Sequence, residues 1–300
     1  MIRLLTFNSF SLLQEDRSGN EAMATAVASL SSVATTFDCH VLQRAAHNCP
    51  LNSLGTHDQQ VALRIAVSGQ PARVAVVTPG KSVGCEFPEW MNVSIQTEAE
   101  PGVVVEWLSR PAGASDGVAL EWCHVNLSSE PDRVTWITEA LTAASAAVLA
   151  GVSDTLVVTA VAGDVVDCGR FESLLWEGTI RVPLWIGGCG SGRVTQPTGS
   201  FDVLGTILSS LNTTPDVTSD DRPVDLRRFG SELSVVPLRS IRISQDGSDA
   251  IRTPEFLFVR SQSDEFGEQL ALYGKPHDVW NIHDLSREYP GVVDELLALL

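Results

Sequence analysis

Over roughly the first 210 residues, short apolar runs of strand length alternate with longer segments of helical period. That alternation constrains the chain to an α/β sheet covered by helices on both faces, because each element must bury an apolar face against the other kind. Runs near 2–7, 73–78, 118–125, 154–160 and 180–187 predict strands, and the period predicts helices over 20–32, 57–68, 131–150 and 200–211, with Asn20 and Asp202 near their starts. In PDRVTWITEALTAASAAVLAG (131–151), Pro131 suits a first turn, the Ala and Leu content favours the helix, and Gly151 suits its stop.

The stretch TTPDVTSDDRP (213–223) is dense in turn formers and acid and predicts the end of this layered part. Beyond it, 235–244, 249–260 and 269–274 predict consecutive antiparallel strands, and 289–300 a closing helix. The expected organisation is an α/β domain over 1–230 and an antiparallel β subdomain with its helix over 231–300.

Charge narrows the partners. Lys+Arg 20 against Asp+Glu 37 leaves a net charge of −17, which repels nucleic acid and anionic membrane surfaces. Neither partner is expected; a protein partner or self-association is left open. The same field opposes an anionic substrate unless a cation or clustered Arg and Lys inverts it locally, since like charges about 4 Å apart cost about 4 kcal/mol at an effective dielectric near 20. The six cysteines are dispersed, without a CxxC pair, and the chain enters a strand-like run at Ile2 without the pattern of an export signal. Free thiols in a reducing compartment, the cytoplasm, are the expectation.

Against this background the run LLWEGTIRVPLWI (174–186) stands out. It resembles the Tyr-Glu-Gly-Gly-Ile-Arg-Val-Pro segment of sulfatases in the alkaline-phosphatase superfamily. Other segments resemble the family in the right order: LLTFNSFS (4–11), VALRIAVSGQPARVAVVTPGK (61–81), GRVTQPTGSFDVLGTILSSL (192–211), and AIRTPEFLFVR with LALYGKPHDVWNIHDLSREYPGVVDELLALL (270–300). The resemblance implies a divergent, shortened member. Its fold would be a mixed sheet covered on both faces, with a small C-terminal antiparallel sheet and a terminal helix.

The family's chemistry is another matter. Sulfatases hold Ca or Mg with oxygen-bearing side chains, mostly carboxylates, as a hard cation requires. The family's Asp-Asp pair falls on Asn8 and Ser9, and VVTAVAGD (157–164) puts Val161 and Ala162 where the family writes Asp and His. No bound metal or other cofactor is therefore expected. The nucleophile motif Cys-x-Pro-Ser-Arg is matched by HNCPLN (47–52): aligned on Pro50 the nucleophile position is Asn48 and the Arg position Asn52, and aligned on Cys49 the Arg position is Ser53. The family's sulfate-contacting Lys falls on Glu172, a charge reversal, and Lys81 is the possible remnant of a second one. Its later His falls near Cys168.

Competing sites are weaker. Asp38, Cys39 and His40 with His47 and Cys49 supply zinc-type ligands, but Cys39 and His40 are adjacent and point to opposite faces of a strand. The glycine-dense stretch from Gly187 to Gly192 lacks a phosphate-loop Lys. Lys81 with Arg170 would suit a small anion. Glu177, Gly178, Arg181, Pro183 and Asp202 are explained structurally: a turn, an edge ion pair, a strand start and a helix cap. Trp136, Trp176, Trp185 and Trp280 are packing residues. The expected function is a sulfatase-like pseudoenzyme that has lost sulfate-ester hydrolysis. The alternative is an active sulfuric- or phosphoric-ester hydrolase with a relocated or metal-independent site, using Cys49 with His40 or His47 as base.

Overall fold

A computed structural model of the chain describes residues 1–8, 10, 20–44, 49–68, 72–80, 85–111, 119–127, 132–163, 175, 177–213, 223–231, 239–245, 247–263 and 267–300. In chain order the first elements are β1 (Ile2–Phe7), α1 (Glu21–Val33), β2 (Thr35–Phe37), β3 (His40–Val41), α2 (Pro50–Leu54), α3 (His57–Ala66) and β4 (Ala72–Val77). Then come β5 (Asn92–Gln96), α4 (Gly102–Ser109), β6 (Leu120–Val125), α5 (Arg133–Leu149), β7 (Thr155–Ala160), α6 (Glu177–Ile180) and β8 (Leu184–Gly187). The chain continues through β9 (Gly192–Val194), β10 (Thr198–Gly199), α7 (Phe201–Ser210) and α8 (Arg228–Ser231). It closes with β11 (Ile241–Gln245), β12 (Ser248–Arg252), β13 (Phe256–Ser263), β14 (Gly267–Gly274) and α9 (Pro290–Leu297).

Eight strands form one mixed sheet in the order β5-β4-β6-β1-β7-β8-β2-β9. Parallel pairing joins β5 through β7, and β8 runs antiparallel to β7 and β2. Side-chain alternation sorts this sheet into two apolar layers. Leu5, Phe7, Cys123, Val125 and Val158 pack under α1, α4 and α5. Ile2, Leu4, Trp122, Val157 and Val74 pack under α2, α3 and α7. All six residues of β1 and of β7 are buried, as a strand covered on both faces demands. Each fully buried Leu or Phe contributes about 1.5–3 kcal/mol of transfer free energy, so these two strands anchor the core.

Local chemistry sets the helix ends. Asn20 caps α1, its side-chain oxygen accepting from Met23 N at 3.0 Å, and Thr56 with Gln59 forms a reciprocal capping box at α3. Just after α5, Gly151 takes φ +62°, the left-handed conformation that ends a helix at little cost.

The last four strands form a separate antiparallel sheet, β11-β12-β13-β14, with α9 against one face. Its other face is seated on the main body: Ile241, Ile243, Leu257 and Tyr273 share a cluster with Val41, Leu175 and Ile180.

Three expectations are corrected. The strand predicted over 180–187 starts at Leu184, because Glu177–Ile180 coils into α6 and Pro183 has no N–H for a ladder. The strand predicted over 249–260 is two strands. Thr253 N donates to Phe256 O at 2.9 Å and Phe256 N to Thr253 Oγ1 at 3.0 Å, a turn around Pro254 that folds β13 back on β12. Asp202 does not cap α7; Ser200 occupies that position, and the buried Asp202 carboxylate accepts from Gly199 N, Val224 N and Arg239 Nη1 at 2.9, 2.9 and 2.6 Å. It ties three loops together.

Several elements have no counterpart in the periodicity, β5 and α4 among them. β5 reads NVSIQ, with polar residues on one face and Ile95 exposed on the other, and α4 spans only Gly102–Ser109. Among the described residues no helix is long and apolar enough to cross a membrane.

Candidate active site

Open parallel sheets bind ligands outside the carboxyl ends of their strands, where the chain leaves the ladder and side chains are freed from packing. Here those ends belong to β6, β1 and β7. Asn8 follows β1, its N–H bonded to Val125 O at 3.0 Å, and its side-chain oxygen accepts from Leu127 N at 2.6 Å. Val161 follows β7, its N–H bonded to Phe7 O at 2.9 Å, and Ala162 O accepts from Phe10 N at 3.1 Å. Helix α2 is drawn in from the side by the buried Ser53, whose hydroxyl donates to Val161 O at 3.3 Å.

The tertiary structure thus brings Asn8, Val161, Ala162 and the α2 segment that starts after Cys49 to one end of the sheet. Ser9, Asn48, Lys81, Cys168, Arg170 and Glu172 lie outside the described residues, as do His47, Pro131 and Trp176. Asn52 turns toward α3, accepting from Gln60 Nε2 at 3.3 Å.

The described members of this set do not fit a hard divalent cation. Val161 is buried and presents only carbon, Ala162 has no donor atom beyond the backbone, and the Asn8 oxygen, which accepts from Leu127 N, carries no negative charge. The half-buried Cys49 thiol is pushed up from its ordinary pKa, chiefly by desolvation, with Glu86 adding to the rise. Burial likewise raises the neighbouring Cys85 to about 11. A nucleophilic thiol needs the opposite environment.

The zinc-type cluster is dispersed by the fold. Asp38 pairs with Arg193 Nε at 2.5 Å, and Cys39 is buried with its pKa raised to about 11 by desolvation. His40 bonds through Nδ1 to Thr198 Oγ1 at 3.0 Å and is held neutral by complete burial, its pKa lowered to about 3. Among the described residues no three His, Cys, Asp or Glu side chains are grouped to hold a metal ion.

Two buried polar networks flank the strand ends. Trp122 Nε1 donates to Thr6 Oγ1 at 2.7 Å, and Thr6 Oγ1 lies 2.9 Å from His124 Nδ1. Tryptophan can only donate, so Thr6 Oγ1 accepts from it, and the direction of the Thr6–His124 bond follows the imidazole tautomer. Burial lowers His124 to about 3 and keeps it neutral, and Phe87 packs edge-on against both rings.

The second network surrounds Glu177. Its buried carboxylate lies 3.4 Å from Lys275 Nζ, 3.6 Å from Arg252 Nε and 4.0 Å from Arg181 Nη1. Lys275 also donates to Asn281 Oδ1 at 2.5 Å and to Asp278 O, and desolvation lowers its pKa. Arg181 therefore has the acidic partner expected of it, but Glu177 is no mere turn residue. It joins α6 to β12 and to the loop after β14. A lone acid placed after an apolar run is the one sequence signal for such a role; its partners lie some 75 to 98 positions on in the chain, beyond any local pattern.

No protein-family model matches the chain, and no curated protein matches it in sequence. Solved structures do. A protein crystallised with its substrate D-glucosamine-2-N,6-O-disulfate superposes with a TM-score of 0.66 at 10% identity, covering 100% of this chain and 96% of that one. The 4S-sulf protein of a Bacteroides thetaiotaomicron locus for glycosaminoglycan metabolism gives 0.63 at 9% identity, over 98% and 94%. The phosphonate monoester hydrolase of Agrobacterium radiobacter gives 0.61 at 13% identity, over 99% and 95%. With the mixed sheet, the appended four-stranded sheet and these near end-to-end superpositions, the chain has the fold of these solved sulfatase and phosphonate monoester hydrolase structures.

Proposed function

We propose that this chain is a sulfatase-like protein that has lost sulfate-ester hydrolysis and keeps the scaffold for a binding or structural role, with another protein or a second copy as its partner. The observation that carries the reading is the end of β7, where Val161 and Ala162 offer carbon at the place where a cation cage needs oxygen, beside an Asn8 oxygen already bonded to the backbone. Without a cation, the −17 field opposes any sulfate monoester approaching the strand ends. The raised pKa of Cys49 supports the same reading, since the thiol is the only candidate nucleophile among the described residues of that segment.

The test is direct. The purified chain is assayed against aryl sulfates and aryl phosphates with Ca²⁺, Mg²⁺, Mn²⁺ or Zn²⁺, and its metal content is measured. The expected outcome is turnover no greater than that of a Cys49→Ala, Asn8→Ala double variant, and no stoichiometric metal. Turnover well above the double variant would overturn the reading in favour of an active sulfuric- or phosphoric-ester hydrolase with a relocated site.

A further inference from the structure

The edge strand of a sheet turns the N–H and C=O groups of every second residue outward, and native chains guard such edges with charge, proline, brevity or a covering loop. On the two larger sheets, three of the four edges are guarded in this way by described residues. β9 is three residues long and carries Arg193, paired with Asp38. On β11, Arg242 supplies a charge and Ser244 N donates to Gln43 O at 3.1 Å. On β14, Leu272 N donates to Asp284 Oδ1 at 3.0 Å, and Leu272 O accepts from Leu285 N at 2.7 Å.

β5 is the fourth edge. NVSIQ (92–96) has no charge, no proline and no glycine, and all of it but Val93 is exposed, Ile95 to 58%. Its inner side is fixed by the ladder: Gln96 O accepts from Thr78 N at 3.0 Å, so Asn92, Ser94 and Gln96 turn their backbone groups toward β4. Val93 and Ile95 therefore turn theirs outward. Among the described residues no backbone group bonds to them from that side.

The strand is also complementary to itself. Rotated about a two-fold axis through Ser94 and laid antiparallel, a second copy sets its Ile95 opposite Val93, its Gln96 opposite Asn92 and its Ser94 opposite Ser94. The outward groups of Val93 and Ile95 then exchange hydrogen bonds as a matched pair, with their apolar side chains on one face and the amides of Asn92 and Gln96 on the other. Acids stay apart. The same register sets Glu98 opposite Trp90 and Glu89 opposite Ala99, so no carboxylate faces another.

We propose that two copies of this chain pair antiparallel through β5, joining their main sheets into one across the two-fold axis. The inference rests on the reading above only for its choice of a second copy as partner, and its failure is separable: association is read from molecular weight, loss of hydrolysis from turnover. A five-residue edge buries less than the roughly 1,200 Å² of the smallest standard interfaces, so the dimer is weak, with a Kd of about 10–100 µM. Each copy carries −17, and salt that screens this repulsion tightens the pair.

The test is sedimentation equilibrium of the full chain from about 2 to about 500 µM, in about 0.05 M and about 0.5 M NaCl. The expected result is a monomer–dimer equilibrium whose Kd falls several-fold at the higher salt. Ile95→Lys puts a cation into the apolar pair and should weaken the dimer about tenfold or more, with the wild-type urea midpoint because the side chain is exposed. Ser94→Cys tests the register independently. On the axis the facing Cα atoms stand about 4.5 Å apart, within disulfide reach, so diamide should link two copies through this position, and adding Ile95→Lys should prevent the link. A monomer at every concentration would overturn the proposal and leave the edge to a strand of another protein. A dimer that Ile95→Lys leaves intact, or a Ser94→Cys variant that diamide does not link, would overturn it equally.

Discussion

Replacing the Glu177 carboxylate would strand cations in the core. Arg252 and Lys275 are buried and face it at 3.6 and 3.4 Å, so Glu177→Gln leaves both without the carboxylate they share. Breaking a buried pair from one side costs about 3–5 kcal/mol, because the remaining charge is not resolvated. Glu177→Gln is expected to lower the unfolding free energy, read from urea denaturation, by an amount in that range. Lys275→Met, which removes one of the excess cations, is expected to cost less. The reverse order would show that Glu177 is not the centre of the cluster. A second prediction concerns Cys49. Its thiol is pushed above its ordinary pKa by burial, so iodoacetamide should label it more slowly at neutral pH than it labels a free cysteine, and at the common rate only after denaturation. Rapid labelling of the folded protein would point instead to an activated thiol.

Elements end where backbone chemistry allows it, and two glycines show how differently that works. Gly151, after α5, has φ +62° and open space where a Cβ would stand; Gly188, after β8, has φ +89° and would place a Cβ 2.2 Å from Asp154 O. The first needs only the left-handed conformation, the second also needs the absence of a side chain. Gly151→Ala should therefore cost about 1 kcal/mol, and Gly188→Ala measurably more, about 2–3 kcal/mol, as read from urea unfolding of the two variants. Equal costs would mean that the Asp154 carbonyl moves aside freely. The glycine-dense stretch noted in the sequence is thus a joint between β8 and β9. It sits against the loop that launches β7.

For the whole molecule the two buried histidines set the acid limit. His40 and His124 have pKa values of about 3 in the folded chain against 6.5 when unfolded, so below 6.5 the unfolded state binds more protons and stability falls as the pH drops toward 3. Each histidine should remove about 1.5 kcal/mol between pH 6.5 and about 5, above the range in which carboxylates titrate. Urea midpoints at the two pH values should show the loss, and His124→Gln should about halve it, His40 carrying the rest. A pH-independent midpoint over that window would place both rings in contact with water. Because the C-terminal sheet shares a core cluster and the Glu177 network with the main body, its unfolding should coincide with that of the large sheet in a single transition.

What the sequence determined by itself was the class of fold and the order of its elements. The largely apolar β1 and β7, helix α1 with Asn20 at its start, and helices α3 and α5 were legible because apolar runs, a cap and a 3.6-residue period are written locally. β5 and α4 were not, since a polar edge strand and an eight-residue helix carry no period of their own. That Val161 and Ala162 bring no side-chain oxygen was also readable in the chain; that both sit at the strand ends beside the Asn8 oxygen bonded to Leu127 N was not. Tertiary structure alone decided that Glu177 meets Lys275, that Arg3 pairs with Glu121, and that Asp202 holds loops instead of capping a helix. The reason is physical. Periodicity and capping are short-range properties of the backbone, whereas ion pairs between residues separated by some 40 to 120 positions exist only once burial has brought the charges together and removed the water between them.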